Sequence, residues 1–380
     1  MTERSQRPIV VVGGGASGLN AALTLCAAGE PVILFERRTA VGGMGASFTL
    51  DCGARLDRYY HYFSGIDAEL IRLARTLLPA EDGLRWRAAP VGMRFEGRLQ
   101  PFSSVFDILR FASVDPPSRL RVCAHTAYSA VLRDHNHLDE ITAAEWLTAW
   151  LGPRAYHVIW EPLMRRKFGV RADAVAASWI WSRIRRMAAS RPHGVSLRRF
   201  YGYIDGGVHR LVDRMVARAR ALGAHIRCDT SVTGIETDGQ RVTGVAWRND
   251  GTGRAGRVAH PRAVLSTLPL PVLRDLVQGP LPSDWPPVVD YLPVTVLVVL
   301  LDRPLTEFFW LNTNDPEFGI AGIIEYSNLD RSLAAKGLHV LYVPFYADDD
   351  QTVTGASADR LLDRVAPDLK RVNPAFDRAW

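Results

Sequence analysis

The hydrophobic pattern of the chain begins with a β-branched run that is followed by helical spacing. The run Ile9–Val12 is unbroken, which is typical of a strand buried on both faces. Apolar residues then recur every three or four positions over residues 19–26, and Gly29 stands where a glycine commonly ends a helix. A second apolar run, Val32–Phe35, follows. The pattern predicts a strand–helix–strand unit at the start of the chain.

Glycines in this unit have the spacing of a dinucleotide-binding turn. Gly13, Gly15 and Gly18 form G-x-G-x-x-G, in which the first permits a tight turn, the second lets the backbone approach a pyrophosphate and the third lets helix pack on strand. Glu36 ends the second strand, where an acidic side chain meets ribose hydroxyls. The N-terminus of the helix offers N–H groups and a partial positive charge to phosphates. The predicted phosphate-binding residues are Gly13, Gly15, Ala16, Ser17 and Gly18.

Later parts of the chain separate into a mostly helical block and extended segments. Helical spacing covers residues 67–78, and residues 84–101 are typical of a hairpin. Helical patterns then dominate to about residue 190, and one of them opens with a Thr142-x-x-Glu145 capping box. Helices are predicted at residues 105–111, 118–132, 142–151, 208–222 and 358–372, and extended runs at 224–227, 231–236, 242–247, 263–269, 294–301, 308–311, 320–326 and 339–345.

Composition restricts the functional class. The chain has 380 residues, of which 47% are hydrophobic and 23% charged, as in an ordinary globular protein of two domains. The net charge of +6 is modest, and no basic helix matches a nucleic-acid-binding module, so we expect no nucleic-acid partner.

Cysteine usage and the N-terminus favour a cytoplasmic protein. The four cysteines are far apart and form no C-x-x-C pair, so neither a disulfide framework nor a metal site is expected. The first residues lead directly into the first strand, which predicts that no signal peptide is present. The longest apolar run, residues 294–301, is too short and too β-branched to cross a bilayer as a helix.

The residues after Glu36 identify the type of dinucleotide by resemblance. Glu36 is followed by five residues and then by Gly42 and Gly43. This E-x5-G-G arrangement resembles the superfamily of FAD-dependent amine oxidases, protoporphyrinogen oxidases, phytoene desaturases and UDP-galactopyranose mutases, and it implies FAD as the cofactor. Ala40 stands where many members carry arginine, and Arg37 or Arg38 is the candidate replacement. The resemblance implies FAD contacts at Glu36, Arg37, Gly42, Gly43, Met44 and Val232.

An aromatic segment lies where the chain passes near the flavin ring in this superfamily. Residues 57–63 read Asp-Arg-Tyr-Tyr-His-Tyr-Phe. UDP-galactopyranose mutases carry a histidine and aromatic residues in a comparable place. The resemblance implies that Tyr60, His61 and Tyr62 wall the flavin pocket or bind substrate, and Tyr60 and His61 are candidate catalytic residues. Packing of these side chains in the core is the alternative.

A second segment, Trp-Glu-Pro-Leu-Met-Arg-Arg-Lys-Phe-Gly at residues 160–169, resembles one in bacterial protoporphyrinogen-oxidase-like flavoproteins. Lys167 or Arg165 could hold a substrate phosphate there, and Lys167 is the third candidate catalytic residue. The alternative is that the segment only docks a helix on the flavin domain.

Residues 165–199 carry ten basic residues and one acidic residue. Their basic, tryptophan-bearing helix pattern fits an anionic substrate, the surface of an anionic membrane, or a solvated helix face with buried tryptophans.

Together the patterns predict an α/β fold with a split Rossmann-like FAD-binding domain. This domain comprises residues 1–83 and 202–287. A helical insertion at 84–201 and an antiparallel sheet plus helix at 288–380 form the predicted substrate domain. The superfamily closes with a second FAD segment that has no counterpart before Trp380. A truncated chain, or a pocket completed in another way, is therefore expected.

The function implied by the resemblance is that of an FAD-dependent oxidoreductase. It would pass a hydride from a C–N or C–C bond of a small, phosphorylated or lipid-linked substrate to flavin N5. One alternative is a non-redox isomerase similar to UDP-galactopyranose mutase. The other is a non-catalytic flavin-binding scaffold, which Ala40 and the missing closing segment suggest. The substrate and the oligomeric state are left open.

Overall fold

The computed structural model describes residues 7–80, 83–188, 199–281, 283–287, 289–346 and 353–380. The chain divides into two compact units. Unit 1 comprises Met1–Tyr59, Thr76–Pro79 and Gly207–Tyr291, and unit 2 comprises Tyr60–Arg75, Ala80–Gly206 and Leu292–Trp380. Residues 60–75, which the sequence pattern grouped with the nucleotide-binding part, lie in unit 2. The backbone of Phe63 pairs there with that of Gly202, and Asp67 binds Arg186.

The helices of the described residues are α1 (Ala16–Ala27), α2 (Ala68–Leu77), α3 (Val105–Arg110), α4 (Pro116–Val131), α5 (Ala143–Leu151), α6 (Pro153–Ile159), α7 (Glu161–Phe168), α8 (Ala177–Ala188), α9 (His209–Ala221), α10 (Leu270–Leu276), α11 (Arg331–Ala334) and α12 (Ala358–Val372). The capping box predicted for α5 is confirmed, because the Thr142 side chain accepts from the Glu145 N–H and the Glu145 carboxylate accepts from the Thr142 N–H.

The strands of the described residues are β1 (Ile9–Val12), β2 (Val32–Phe35), β3 (Ser47–Thr49), β4 (Arg55–Asp57), β5 (Leu84–Ala88), β6 (Val91–Phe95), β7 (Arg98–Pro101), β8 (Phe200–Ile204), β9 (His225–Arg227), β10 (Thr230–Thr237), β11 (Val242–Asn249), β12 (Ala255–Ala259), β13 (Ala263–Ser266), β14 (Val277–Gln278), β15 (Val294–Leu301), β16 (Trp310–Thr313), β17 (Gly322–Glu325) and β18 (His339–Tyr346).

Unit 1 is built on a parallel sheet in the order β13-β1-β2-β9. Ile9 is opposite both Ala263 and Val32, so β1 is paired on both sides, as its unbroken apolar run predicts. A second sheet, β12-β11-β10-β14, contributes Val245 to a core with Val10, Val12 and Phe35. The parallel strands end at one edge of the sheet, where the glycine turn begins.

Unit 2 contains a six-stranded sheet in the order β15-β18-β17-β16-β6-β7. The sheet differs from the predicted antiparallel arrangement at one pair, because β16 and β6 run parallel, with Trp310 opposite Val91. This pairing joins the 84–101 hairpin to strands more than two hundred residues later. Helix α12 packs on the sheet through Leu361, Val365 and Leu369.

The helical layer of unit 2 comprises α3 to α8. Its core is apolar and mainly aliphatic, with Trp146, Trp160 and Trp181 buried in it. Helices α7 and α8 each bury one face in this layer, so their other faces present the basic residues discussed below.

A buried carboxylate makes the stability of unit 2 depend on pH. Glu325 is 1% exposed and accepts from the N–H groups of Leu305 at 3.0 Å and Thr306 at 2.7 Å, and from the Thr306 hydroxyl at 3.0 Å. Burial raises the pKa of Glu325 from 4.5 to about 7, against the opposing effect of these hydrogen bonds. Since the folded-state pKa lies above the unfolded one, the folded state holds the proton more strongly. The free energy of unfolding therefore falls as pH rises from about 4.5 to about 7.

We expect Glu325→Gln to flatten this pH dependence by up to about 3 kcal/mol, since each pKa unit corresponds to about 1.4 kcal/mol. Urea denaturation at pH 5 and pH 8 measures the change, and the exposed Glu317→Gln serves as the control. An unchanged slope in Glu325→Gln would show that Glu325 is already ionised at pH 5.

Candidate functional site

The edge of the parallel sheet in unit 1 presents the N-terminus of α1. Gly13 follows β1 with φ +103°, and Gly15 is the N-cap with φ −70°. Among the described residues no side chain caps this helix, and its first hydrogen bond joins the Leu19 N–H to the Gly15 carbonyl. The N–H groups of Ala16 and Ser17 therefore lack helical acceptors and are placed to bind an anion.

The three glycines are required for different reasons. A Cβ on Gly18 would lie 1.9 Å from the Gly13 carbonyl oxygen, and one on Gly13 would lie 2.6 Å from Thr267 Oγ1. Both positions are glycine because the protein packs against them. A Cβ on Gly15 would meet only Gly43 Cα, at 3.8 Å. Nothing among the described residues fills the space beside Gly15, which fits close approach by a pyrophosphate.

Glu36 is tied to the glycine turn. Its side chain accepts from the Gly14 N–H at 2.7 Å and from the Arg38 N–H at 2.9 Å, and the residue is 9% exposed. Each carboxylate oxygen thus uses one lone pair on the backbone and keeps a second for a further donor. Besides the predicted contact with ribose, Glu36 fixes the shape of the turn, a role that the sequence pattern did not indicate. Arg37 is exposed at the same strand end.

The paired glycines lie directly against the first glycine turn. The Gly42 N–H donates to the Gly14 carbonyl at 2.8 Å, and Gly15 and Gly42 form a parallel bridge. Gly43 has φ +57°, and a Cβ on it would lie 2.9 Å from Gly15 Cα. The structure therefore brings the two sequence motifs together. Met44, in the short helix that follows, is 73% exposed.

Val232 lies on β10, which starts beside Glu36. The Thr230 N–H donates to the Glu36 carbonyl at 2.9 Å, so β10 continues from the same edge. Val232 is paired with Trp247 and packs against the core of unit 1. All eleven residues predicted to contact the cofactor therefore belong to unit 1.

Unit 2 contains a cavity of about 280 Å³. Its aromatic lining includes Tyr62, Phe102, Trp160, Trp179, Tyr201 and Trp310. Its cationic lining is Lys167, Arg183, Arg186 and Arg199. No acidic side chain is found among the described residues that line it. The cavity therefore combines an apolar wall with positive charge.

Lys167 is the member of the 160–169 segment whose charge faces this cavity. Its ammonium lies 5.2 Å from the Trp179 ring centroid and 4.7 Å from that of Tyr346. Burial, together with a smaller effect of the neighbouring Arg183, lowers the pKa of Lys167 to about 8.

Arg165 and Arg166 make their contacts outside the cavity lining. Arg165 is not in the lining of this cavity and pairs at the surface with Asp173 at 2.8 Å and Glu161 at 3.7 Å. Arg166 donates to the carbonyls of Thr313 and Asp315 and so docks α7 on the loop after β16. The segment therefore places Lys167 in the cavity lining and uses Arg166 for contacts within unit 2.

Tyr60 and His61 stand behind the cavity wall rather than in it. The ring of Tyr60 makes edge contacts with Trp310 at 5.4 Å and Tyr342 at 5.9 Å, and burial raises the pKa of Tyr60. The main-chain carbonyl of His61 accepts from the Tyr326 hydroxyl at 2.9 Å. The neighbouring Tyr62 lines the cavity instead.

The basic helix α8 supplies two further cations that the sequence pattern did not single out. Arg186 binds Asp67 through two contacts of 2.6 Å and lies over the Tyr62 ring. Arg183 lies 5.6 Å from the Trp310 ring centroid, and its buried Nε has no hydrogen-bond partner among the described residues. The i, i+4 spacing of Trp179, Arg183 and Met187, which all line the cavity, is the signal that could have found Arg183. Arg186 has the same spacing from Ser182, another lining residue.

Two other predictions concern metals and membranes. Within the described ranges, no group of three or more histidine, cysteine, aspartate or glutamate side chains is arranged to hold a metal ion. None of the helices in those ranges combines the length and apolar character that a bilayer span requires. Arg191 and Arg198, which belong to the basic segment noted in the sequence, lie outside the described residues.

Comparison with known proteins identifies the relatives of this chain. The family model for flavin-containing amine oxidoreductases matches residues 16–379. Putrescine oxidase of Kocuria rosea is 44% identical over 72 residues, which is 19% of this chain and 15% of that relative's length. The match therefore spans less than a sixth of that curated relative.

Solved structures share the fold over nearly the whole chain. An oxidoreductase from Methanosarcina mazei has a TM-score of 0.71 at 17% identity, covering 97% of this chain and 85% of that one. A reduced UDP-galactopyranose mutase has a TM-score of 0.72 at 15% identity, covering 98% and 81%. The resemblance predicted from the sequence, the α/β fold class and the FAD cofactor are confirmed by the family and fold matches.

Proposed function

Because the chain belongs to the family of flavin-containing amine oxidoreductases, we propose that it is an FAD-dependent oxidoreductase acting on a small molecule. The bound flavin would supply the redox chemistry by accepting a hydride from a C–N or C–C bond of the substrate. The observation that carries the proposal is the open space beside Gly15, bordered by N–H groups at the start of α1 and by the paired glycines.

Different residues of unit 1 would contact different parts of the cofactor. The N–H groups of Ala16 and Ser17 would hold the pyrophosphate, and the remaining lone pairs of Glu36 would accept from ribose hydroxyls. The backbone of Val232 would contact the adenine. Gly43 and Met44 would lie toward the flavin end, and Arg37 would neutralise phosphate charge from the surface.

The three candidate catalytic residues have different proposed roles. Lys167 lines the cavity and would contact the substrate. Tyr60 packs against Trp310 and would act as a positioning residue for the cavity wall. His61 would help hold the same segment through its carbonyl contact with Tyr326.

An absorption spectrum of the purified protein tests the proposed function. We expect flavin bands that remain after gel filtration, that are released by heat denaturation, and that bleach when a substrate is added without oxygen. Protein that stays colourless after incubation with excess FAD and gel filtration would contradict the proposal. Flavin that dithionite reduces but that shows no turnover with any donor would favour the non-catalytic scaffold.

A second candidate function is a flavin-dependent isomerase similar to UDP-galactopyranose mutase. Four cations in the cavity favour it, since such a charge cluster fits a diphosphate-bearing substrate. Turnover with oxygen or an electron acceptor would support the oxidoreductase. Isomerisation of a sugar nucleotide only after reduction by dithionite would support the isomerase instead.

A further inference from the structure

The charges that line the unit 2 cavity are not equivalent. Arg186 is neutralised by its two contacts with Asp67. Lys167 and Arg183, in contrast, contact aromatic rings and have no carboxylate partner among the described residues. Lys167 and Arg183 are thus two partly buried cations of the cavity with no carboxylate partner in the described part of the chain. The fourth lining cation, Arg199, contacts the Met187 sulfur at 4.0 Å.

Two neighbouring positive charges in a partly buried cavity favour the binding of an anion. Lys167 and Arg183 lie close enough that Arg183 lowers the pKa of Lys167. Aromatic faces attract a cation but leave its charge uncompensated. An oxyanion between the two side chains would remove the repulsion and supply hydrogen-bond acceptors to both, including the buried Arg183 Nε.

The remaining lining determines what the anion is attached to. Trp160, Trp179 and Trp310 form an aromatic wall, and Leu163 and Met93 add aliphatic surface. Such a wall would bury an apolar body. A polyamine would meet cations with no described carboxylate to pair with its ammonium groups, so the lining selects against it.

We propose that Lys167 and Arg183 form an oxyanion subsite, and that the substrate is an apolar molecule bearing a carboxylate or phosphate rather than a polyamine. The statement that this molecule is the substrate rests on the proposed function. The binding site itself stands independently of flavin chemistry.

Binding of four octyl compounds to the full-length protein tests the selectivity of the cavity. Octyl phosphate, octanoate, octanol and octylamine share one apolar chain and differ in head group. Quenching of tryptophan fluorescence and isothermal titration calorimetry report binding without any redox step. We expect the two anions to bind about tenfold or more tightly than octanol, and octylamine to bind least. Equal affinities across the series, or preference for octylamine, would overturn the proposal.

Comparison of the two anions distinguishes the sources of the oxyanion. Tighter binding of octyl phosphate at pH 7 would identify a phosphorylated substrate, and tighter binding of octanoate would identify a carboxylic acid. Both results support the subsite.

Matched substitutions on the same helices locate the subsite. Lys167→Met and Arg183→Met should each weaken octyl phosphate binding about tenfold or more. Arg165→Met on α7 and Arg185→Met on α8 remove surface cations outside the lining and should change affinity less than about twofold. Similar losses in all four variants would indicate general electrostatic attraction and contradict the assignment. If circular dichroism shows that a variant does not fold, the head-group series on the unmodified protein still tests the proposal.

The pH dependence of binding gives an independent readout. Arg183 from α8 and Tyr346 from β18 are the ionisable neighbours that the structure places against Lys167. Arginine stays charged, so loss of the Lys167 proton above about pH 8 should weaken octanoate binding. Lys167→Arg should retain binding and abolish the decline between pH 7 and pH 9. A decline that persists in Lys167→Arg would assign the titration to another group.

The two proposals fail in distinguishable ways. A protein without flavin that still prefers octyl anions would disprove the oxidoreductase and keep the subsite. A yellow, redox-active protein that binds all four octyl compounds equally would keep the function and disprove the subsite.

Discussion

Gly15→Ala is expected to lower the affinity for FAD about a hundredfold while the fold is retained. The backbone at Gly15 has φ −70°, which alanine adopts without strain, and the new methyl group would meet only Gly43 Cα at 3.8 Å. The methyl group should therefore change the free energy of unfolding of the apoprotein little. It would occupy the space that the pyrophosphate is proposed to approach, so the penalty falls on the ligand.

The measurement is FAD titration of the apoprotein, followed by flavin fluorescence, together with a thermal melt. Gly29→Ala at the other end of α1 is the control, because it also faces open space and lies away from the turn. Its positive φ of +82° predicts a modest loss of stability with normal FAD binding. Normal flavin affinity in Gly15→Ala would show that the phosphates do not lie beside this residue.

Gly18→Ala is expected to destabilise the protein by about 3 kcal/mol whether or not flavin is present. Its Cβ would lie 1.9 Å from the Gly13 carbonyl oxygen and 3.1 Å from the Gly13 carbonyl carbon. Both atoms belong to the backbone, so relief requires α1 to move away from β1. Apoprotein melts of Gly18→Ala and Gly15→Ala form a matched pair, since the same methyl group is added three residues apart.

Comparison of Gly18→Ala with Gly15→Ala distinguishes a loss of helix–strand packing from a loss of space for the ligand. A melt of Gly18→Ala equal to that of the unmodified protein would show that the helix is not held as close to the strand as the structure describes. A large loss of stability in Gly15→Ala would show that its effect on flavin arises from the fold.

The hydrophobic pattern predicted helices and strands well where the apolar positions fitted only one type of secondary structure. β1, β2, β15 and α12 have the bounds expected from their apolar spacing. The capping box placed the start of α5 correctly because both of its hydrogen bonds form within four residues. In these cases local sequence contains the deciding interactions.

Long-range pairing was not predictable in the same way. The parallel contact between β6 and β16 joins residues more than two hundred positions apart, and neither strand's pattern specifies its partner. The assignment of residues 60–75 to unit 2 depends similarly on Phe63 meeting Gly202 and Asp67 meeting Arg186. No local signal encodes these contacts.

The candidate site shows the same division. The spacing of the glycines and Glu36 predicted the turn, because the strand–helix–strand geometry that they serve is local. The hydrogen bond from Gly14 to Glu36 went unseen, since it requires the ends of two strands to lie side by side. Lys167 lies in the cavity lining and Arg165 does not, because residues two apart on a helix face different directions. Leu163 and Lys167, four apart, share the cavity face.

The order of strands in the parallel sheet has a consequence for synthesis on the ribosome. β1 and β2 emerge early, yet their outer neighbours, β13 and β9, lie at Ala263–Ser266 and His225–Arg227. The nascent N-terminal segment must therefore keep two apolar strands without their flanking partners while more than a hundred intervening residues are translated. The parallel sheet of unit 1 can therefore be completed only after β13 has left the exit tunnel.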